Sequence, residues 1–130
     1  TTYGCGSEYN RSKRRLIMGE ITFDLTEVGR YKNASEAYNQ AVEEALYEDG
    51  HDSYNGTIST TDGFRHLDTH HRYGTKAWNK WVENLLDQLD KRDCICYEIK
   101  GAALKKLKER RGYKGMRNIK AYYFFGWAAY

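Results

Sequence analysis

The nine residues from Ile119 to Trp127 are apolar at odd and even positions alike, broken only by Lys120 and Gly126. An extended strand points successive side chains to opposite faces, so a run without alternation belongs in the interior of a sheet. The chain must supply strands to flank it. Ile17, Gly19, Ile21, Phe23 and Leu25 alternate with Met18, Glu20, Thr22 and Asp24, which reads as a half-buried strand with one polar face. Thr57–Thr61 is β-branched, and Asp62-Gly63 before Phe64 is a dipeptide suited to a two-residue hairpin. Cys94–Ile99 reads as a further strand.

Two helices are written as apolar stripes. Ala34, Ala37, Tyr38, Ala41, Val42, Ala45 and Leu46 recur at three- and four-residue steps, with Asn33 and Glu36 placed for a capping box and Gly50 for a left-handed stop. Ala77, Trp78, Trp81, Val82, Leu85, Leu86 and Leu89 repeat the pattern behind Thr75. A shorter helix is expected from Ala102 to Arg111, stopped by Gly112.

The resulting order is β-α-β-β-α-β followed by α-β. It predicts a single α+β domain: a two-layer sandwich with a mostly antiparallel sheet and both long helices on one face. The first six elements have a ferredoxin-like order, with the last helix and strand extending the sheet. Residues 1–14 are expected to be a flexible basic segment, and Ile21, Phe23, Trp78, Trp81, Leu85, Phe125 and Trp127 to be core. The aromatics are 15% of the chain, and most of the twelve tyrosines are expected at core edges.

Charge is unevenly spread. Residues 100–120 carry nine Lys and Arg against Glu109, residues 1–18 four against Glu8, and residues 19–99 eight against sixteen acids. The formal net of +3 therefore conceals a dipolar molecule. With Ala103, Leu104 and Leu107 inward, Lys105, Lys106, Lys108, Arg110 and Arg111 spread over the outside of the short helix. Lys114 and Arg117 follow in a loop with Tyr113. Lysine attracts phosphate, arginine forks onto it, and a tyrosine face stacks on a base, so these residues with Arg14 and Arg15 form the expected binding set for a polyanion or acidic partner. The mirror expectation uses Glu20, Asp24, Glu27, Glu36, Glu43, Glu44, Glu48, Asp49 and Asp52 as a carboxylate surface that docks on a basic groove.

Catalytic signals are weaker. His66, Asp68, His70 and His71 lie within six residues and would be the ligands of a metal-dependent phosphoesterase or nuclease, although their spacing matches no compact metal motif. No Gly-x-Ser-x-Gly elbow or phosphate-cradling glycine loop occurs, and no catalytic residue or cofactor is expected. Cys5, Cys94 and Cys96 are an odd set, read as buried free thiols; a zinc site with one histidine is the alternative. No apolar run approaches the roughly twenty residues of a membrane span, and the expected setting is a cytosol without membrane contact.

At Tyr54-Asn-Gly-Thr-Ile-Ser-Thr-Thr-Asp-Gly-Phe64 and Phe124-Phe-Gly-Trp-Ala128 the chain resembles small accessory proteins encoded by tailed bacteriophages. That group brings no assigned activity, so no functional residue is carried over. The resemblance implies a host bacterial cytoplasm and a protein that adjusts or inhibits a host system such as CRISPR. The expectation is a non-enzymatic protein that binds a host protein or ribonucleoprotein, or else DNA or RNA directly.

Overall fold

The structure, a computed structural model, describes residues 16–130 together with 2–3 and 7–9. Its strands are Thr2–Tyr3 (β1), Ser7–Tyr9 (β2), Leu16–Ile17 (β3), Glu20–Gly29 (β4), Arg65–His66 (β5), Cys94–Ile99 (β6) and Lys120–Ala129 (β7). Its helices are Ala34–Asp49 (α1), Lys76–Gln88 (α2) and Gly101–Arg110 (α3), with a 3-10 turn at Ile58–Thr60. The chain is α+β, built on one mixed, mostly antiparallel sheet in the order β1-β2-β4-β7-β6-β5, with β3 paired to β4. The apolar run is inside it. β7 pairs antiparallel with β4 from Glu20↔Ala129 to Gly29↔Lys120, and with β6 from Cys94↔Gly126 to Ile99↔Ala121.

Helices pack against this sheet, but the two long ones do not share a face. Tyr122, Phe124 and Ala128 of β7 cluster with Phe23, Leu25 and the alanine stripe Ala34, Ala37, Ala41 and Ala45 of α1. Ala121, Tyr123, Phe125 and Trp127, the alternate residues, cluster with Trp78, Val82 and Leu86 of α2 and Leu107 of α3. The expected placement on one face is thereby corrected, and the reason is β7 itself: both of its faces are apolar, so each needs a helix to exclude water.

The caps are as the sequence suggests. Asn33 accepts the Glu36 amide at 3.0 Å, and the Glu36 carboxylate accepts the Lys32 amide at 2.8 Å, which satisfies donors at the start of α1. Thr75 accepts the Trp78 amide at 3.3 Å. Trp127 Nε1 donates to the Leu86 carbonyl at 2.7 Å, pinning the far end of α2 to β7.

Three further expectations change. The Thr57–Phe64 hairpin does not form, because local side-chain bonds compete with a ladder. Thr57 Oγ1 donates to Asn55 Oδ1 at 2.7 Å, Thr60 Oγ1 donates to the Thr57 carbonyl at 2.9 Å, and Thr60 Oγ1 accepts the Ala129 amide at 2.8 Å. The segment becomes a 3-10 plug at the end of β7, and the ferredoxin-like order loses its hairpin. The strand expected from Ile17 to Leu25 is folded at Met18-Gly19, with Ile17 paired to Glu20 and Gly19 at φ +79°. Trp81, Leu85 and Ile21 are only partly buried, unlike Trp78, Phe23, Phe125 and Trp127. The segment 1–14, expected to be flexible, lies mostly outside the described residues; its described backbone is β1 and β2, with β2 paired to β4.

The polar face of β4 is also not at the surface. Thr22, Asp24 and Thr26 are buried, and Asp24 shares a small cavity rim with Asn79, Val82, Glu83 and Leu86 of α2. Tyr123 donates its hydroxyl to Asp24 Oδ2 at 2.5 Å. Glu27 is fully buried and accepts the Tyr31 hydroxyl at 2.5 Å. Asp24 and Glu27 therefore drop out of the expected carboxylate surface.

Candidate nucleic-acid interface

The strand directions decide where charge collects. β7 is antiparallel to both β4 and β6, and β5 is parallel to β6, so β4, β5 and β6 all run toward the same end of the sheet. β4 leaves the sheet there at Gly29 into Arg30, β6 leaves at Ile99 into Lys100, and β7 enters at Lys120. Lys120 Nζ donates to the Lys32 carbonyl at 3.0 Å, which draws the loop before α1 against the start of β7. Arg30, Lys32 and Lys100 are exposed.

The third helix is attached to this end. α3 follows Lys100 directly, and Leu107 and Ile119 join Val28, Ile99 and Ala121 in one core cluster. With Leu107 buried, Lys105, Lys106 and Arg110 are exposed, while Lys108 and Arg111 are half-buried. The chain then returns in a compact loop. Tyr113 N donates to the Lys108 carbonyl at 2.8 Å, Met116 N to the Tyr113 carbonyl at 3.0 Å, and Lys108 Nζ to the Met116 carbonyl at 2.6 Å. Lys114 and Arg117 project from that loop and are exposed.

The structure thus brings together the described part of the expected set with Lys100 and Lys120, the two ends of the 100–120 basic block, and adds Arg30 and Lys32. Those two were legible only as charges flanking a strand end; the register makes them neighbours of the block. Tyr113 differs from expectation, since its ring is partly buried against the core cluster rather than open for stacking. Arg14 and Arg15 lie outside the described residues. The acids nearby are Glu109 on α3, half-exposed Glu98 on β6 and Glu36, whose carboxylate is occupied by the Lys32 amide.

The histidine segment is not drawn into a site. His66 lies on the short edge strand β5, paired with Cys96. Asp68 Oδ1 accepts the neighbouring Thr69 amide at 2.8 Å, and the His70 and His71 rings lie 4.1 Å apart at their centres. Among the described residues no three His, Cys, Asp or Glu side chains are grouped to hold a metal ion. His66, Asp68, His70 and His71, the alternative metal set, follow one another along the edge strand β5 and the loop after it and form no such group.

Cys94 and Cys96 are buried free thiols on the α1 face of β6. Burial pushes the Cys96 thiol up to about 12, with the Glu98 charge adding to it, and burial likewise holds Cys94 well above the usual thiol range. Such thiols are poor nucleophiles and poor metal ligands. Cys5 lies outside the described residues. No helix among the described residues is long and apolar enough to cross a membrane.

Set beside known proteins, the chain matches no family model, no curated protein and no solved structure.

Proposed function

We propose that this is a non-enzymatic binding protein that engages nucleic acid through the basic end of its sheet. The observation that carries the reading is the convergence of Arg30, Lys32, Lys100 and Lys120 with Lys105, Lys106, Arg110, Lys114 and Arg117 at the exit of β4 and β6. Cations spread through one segment serve solubility. Here the cations of the 100–120 block are joined at one end by Arg30 and Lys32 from a stretch about seventy residues earlier, and together they make a field that attracts a phosphate backbone.

The setting we propose is the one that the Tyr54–Phe64 and Phe124–Ala128 resemblance implies: a bacteriophage accessory protein in the host cytoplasm, acting by stoichiometric contact on host nucleic-acid machinery, including a defence system such as CRISPR. Of the partners expected from the sequence, direct contact with DNA or RNA is the one this geometry favours.

Fluorescence anisotropy with labelled single- and double-stranded oligonucleotides tests it. Affinity should fall steeply between about 50 and about 200 mM salt, with log K losing about 0.7–0.9 per phosphate neutralised for each decade of salt. The Lys105→Glu/Lys106→Glu/Arg110→Glu variant should lose both affinity and slope. Oligonucleotides that fail to bind at the lowest salt would remove the proposal.

A further inference from the structure

The opposite end of the sheet has the complementary chemistry. Of the six large apolar side chains most exposed among the described residues, Ile17, Met18, Tyr54 and Tyr130 are there, and Met18, at the β3–β4 turn, is 98% exposed. They form one surface. Tyr130 N donates to the Gly19 carbonyl at 3.0 Å, and a Cβ on Gly56 would stand 3.0 Å from the Tyr130 ring. Lys91 borders Gly19 and lies 5.4 Å from the centre of the Tyr54 ring.

Carboxylates surround this surface. Glu20 opens β4, Asp49 closes α1, Asp52 and Asp62 flank the 3-10 turn, and Asp90 and Asp93 precede β6. Among the described residues, the cations facing them are Lys91 and Arg92. Arg92 is committed to the loops, donating to the Thr60 and Ser53 carbonyls at 2.9 and 3.3 Å. Over its described residues this end is therefore anionic and apolar together. Exposed apolar surface rimmed by charge marks an interface, and two such ends facing each other would set carboxylate against carboxylate.

We propose that this end docks on the basic end of a second copy of the chain. The basic end offers what the acidic end lacks: Lys114 and Arg117, with Met116 exposed between them. Methionine meets methionine and tyrosine, and cation meets carboxylate. The two surfaces lie at opposite ends of the strands, so the contact is heterologous and adds copies head to tail instead of closing a symmetric pair. Nucleic acid and the next copy compete for the same cations, and a bound polyanion would cap the growing end. The assembly does not depend on the nucleic-acid reading, because it is measured with none present.

The test is sedimentation velocity of nuclease-treated full chain over a concentration series at low and at high salt. Average mass should rise with concentration at low salt and fall back when salt screens the ends. Met18→Glu/Tyr54→Ser disables one end and Lys114→Glu/Arg117→Glu the other. Each variant alone should be monomeric, with its association constant lowered about tenfold or more, as expected when an apolar contact is replaced by charge or a charge pair is reversed. Mixed, they retain one intact surface of each kind and should form a 1:1 dimer and nothing larger. Unfolding midpoints close to wild type show that both variants are folded. A wild-type chain that stays monomeric at low salt overturns the proposal and leaves the acidic end to some other cationic protein. So does a pair of monomeric variants that fails to dimerise on mixing.

Discussion

Tyr123 and Asp24 are joined by a 2.5 Å hydrogen bond between two buried side chains that are diagonal neighbours across the β4–β7 ladder, where Asp24 pairs with Phe125 and Thr26 with Tyr123. A carboxylate moved out of water keeps its cost low only while hydrogen-bonded. Burial, then the Asp24 charge, push the Tyr123 hydroxyl well above the usual phenol range, so it stays a donor. Tyr123→Phe removes that donor and leaves the acceptor in place. We expect a loss of about 1–3 kcal/mol, read as a lower urea midpoint with an unchanged slope.

The two tryptophans of α2 should separate in the same assay. Trp78 is 2% exposed and meets Tyr73, Tyr97 and Tyr123 edge to face. Trp81 is partly buried, and its ring sits beside those of Tyr97 and Phe125. Trp78→Ala should cost about 3–5 kcal/mol through lost burial and the cavity left behind, and Trp81→Ala distinctly less. Equal losses would contradict the packing described.

Gly126 is required for space. A Cβ there would stand 1.9 Å from the Asp93 carbonyl oxygen, backbone that also accepts the Trp127 amide at 3.1 Å. Neither partner can yield without breaking the start of the β6–β7 pairing. Gly126→Ala is expected to cost about 3 kcal/mol or more, or to prevent folding. Circular dichroism and the urea midpoint check it.

Alkali should destabilise the fold, because the folded chain holds tyrosine and cysteine protons that the unfolded chain releases. Burial, with the Glu98 charge next, raises Tyr122 to about 12, and the same causes raise Cys96 to about 12. The unfolded chain releases these protons near 9 for thiol and 10 for phenol, whereas the folded one holds them. Their stabilisation is whole below pH 9 and is lost as pH climbs from about 9 to about 12. A melting temperature that stays flat across that window would disprove this. Below it, iodoacetamide should label Cys94 and Cys96 in folded protein far more slowly than in urea, as read by peptide mass spectrometry.

What could be read from the chain follows the range of the interactions involved. β7 was legible because its apolarity is local and two-sided, and α1 and α2 because their stripes and their Asn33 and Thr75 caps lie within a few residues. Asp24 looked like a surface residue because its partner is 99 positions away. The Thr57–Phe64 hairpin failed because Thr57 and Thr60 bond to their own loop, and residues with good strand propensity then plug the end of β7. The basic block on α3 was visible as a run. Its extension to Arg30 and Lys32 was not, since only the register of β4 and β6 on β7 makes those strand exits neighbours.

The place of β7 has a kinetic consequence. It is the central partner of both β4 and β6, yet every other element precedes it in the chain. Its ladder with β4 joins residues about a hundred positions apart, a large loop-closure entropy to overcome before any of those bonds can form. Until β7 is made, β4 and β6 have no common partner, and both α1 and α2 lack half of the surface they cover. We expect folding to be slow, with strand edges exposed to aggregation or chaperone capture until β7 pairs with β4 and β6.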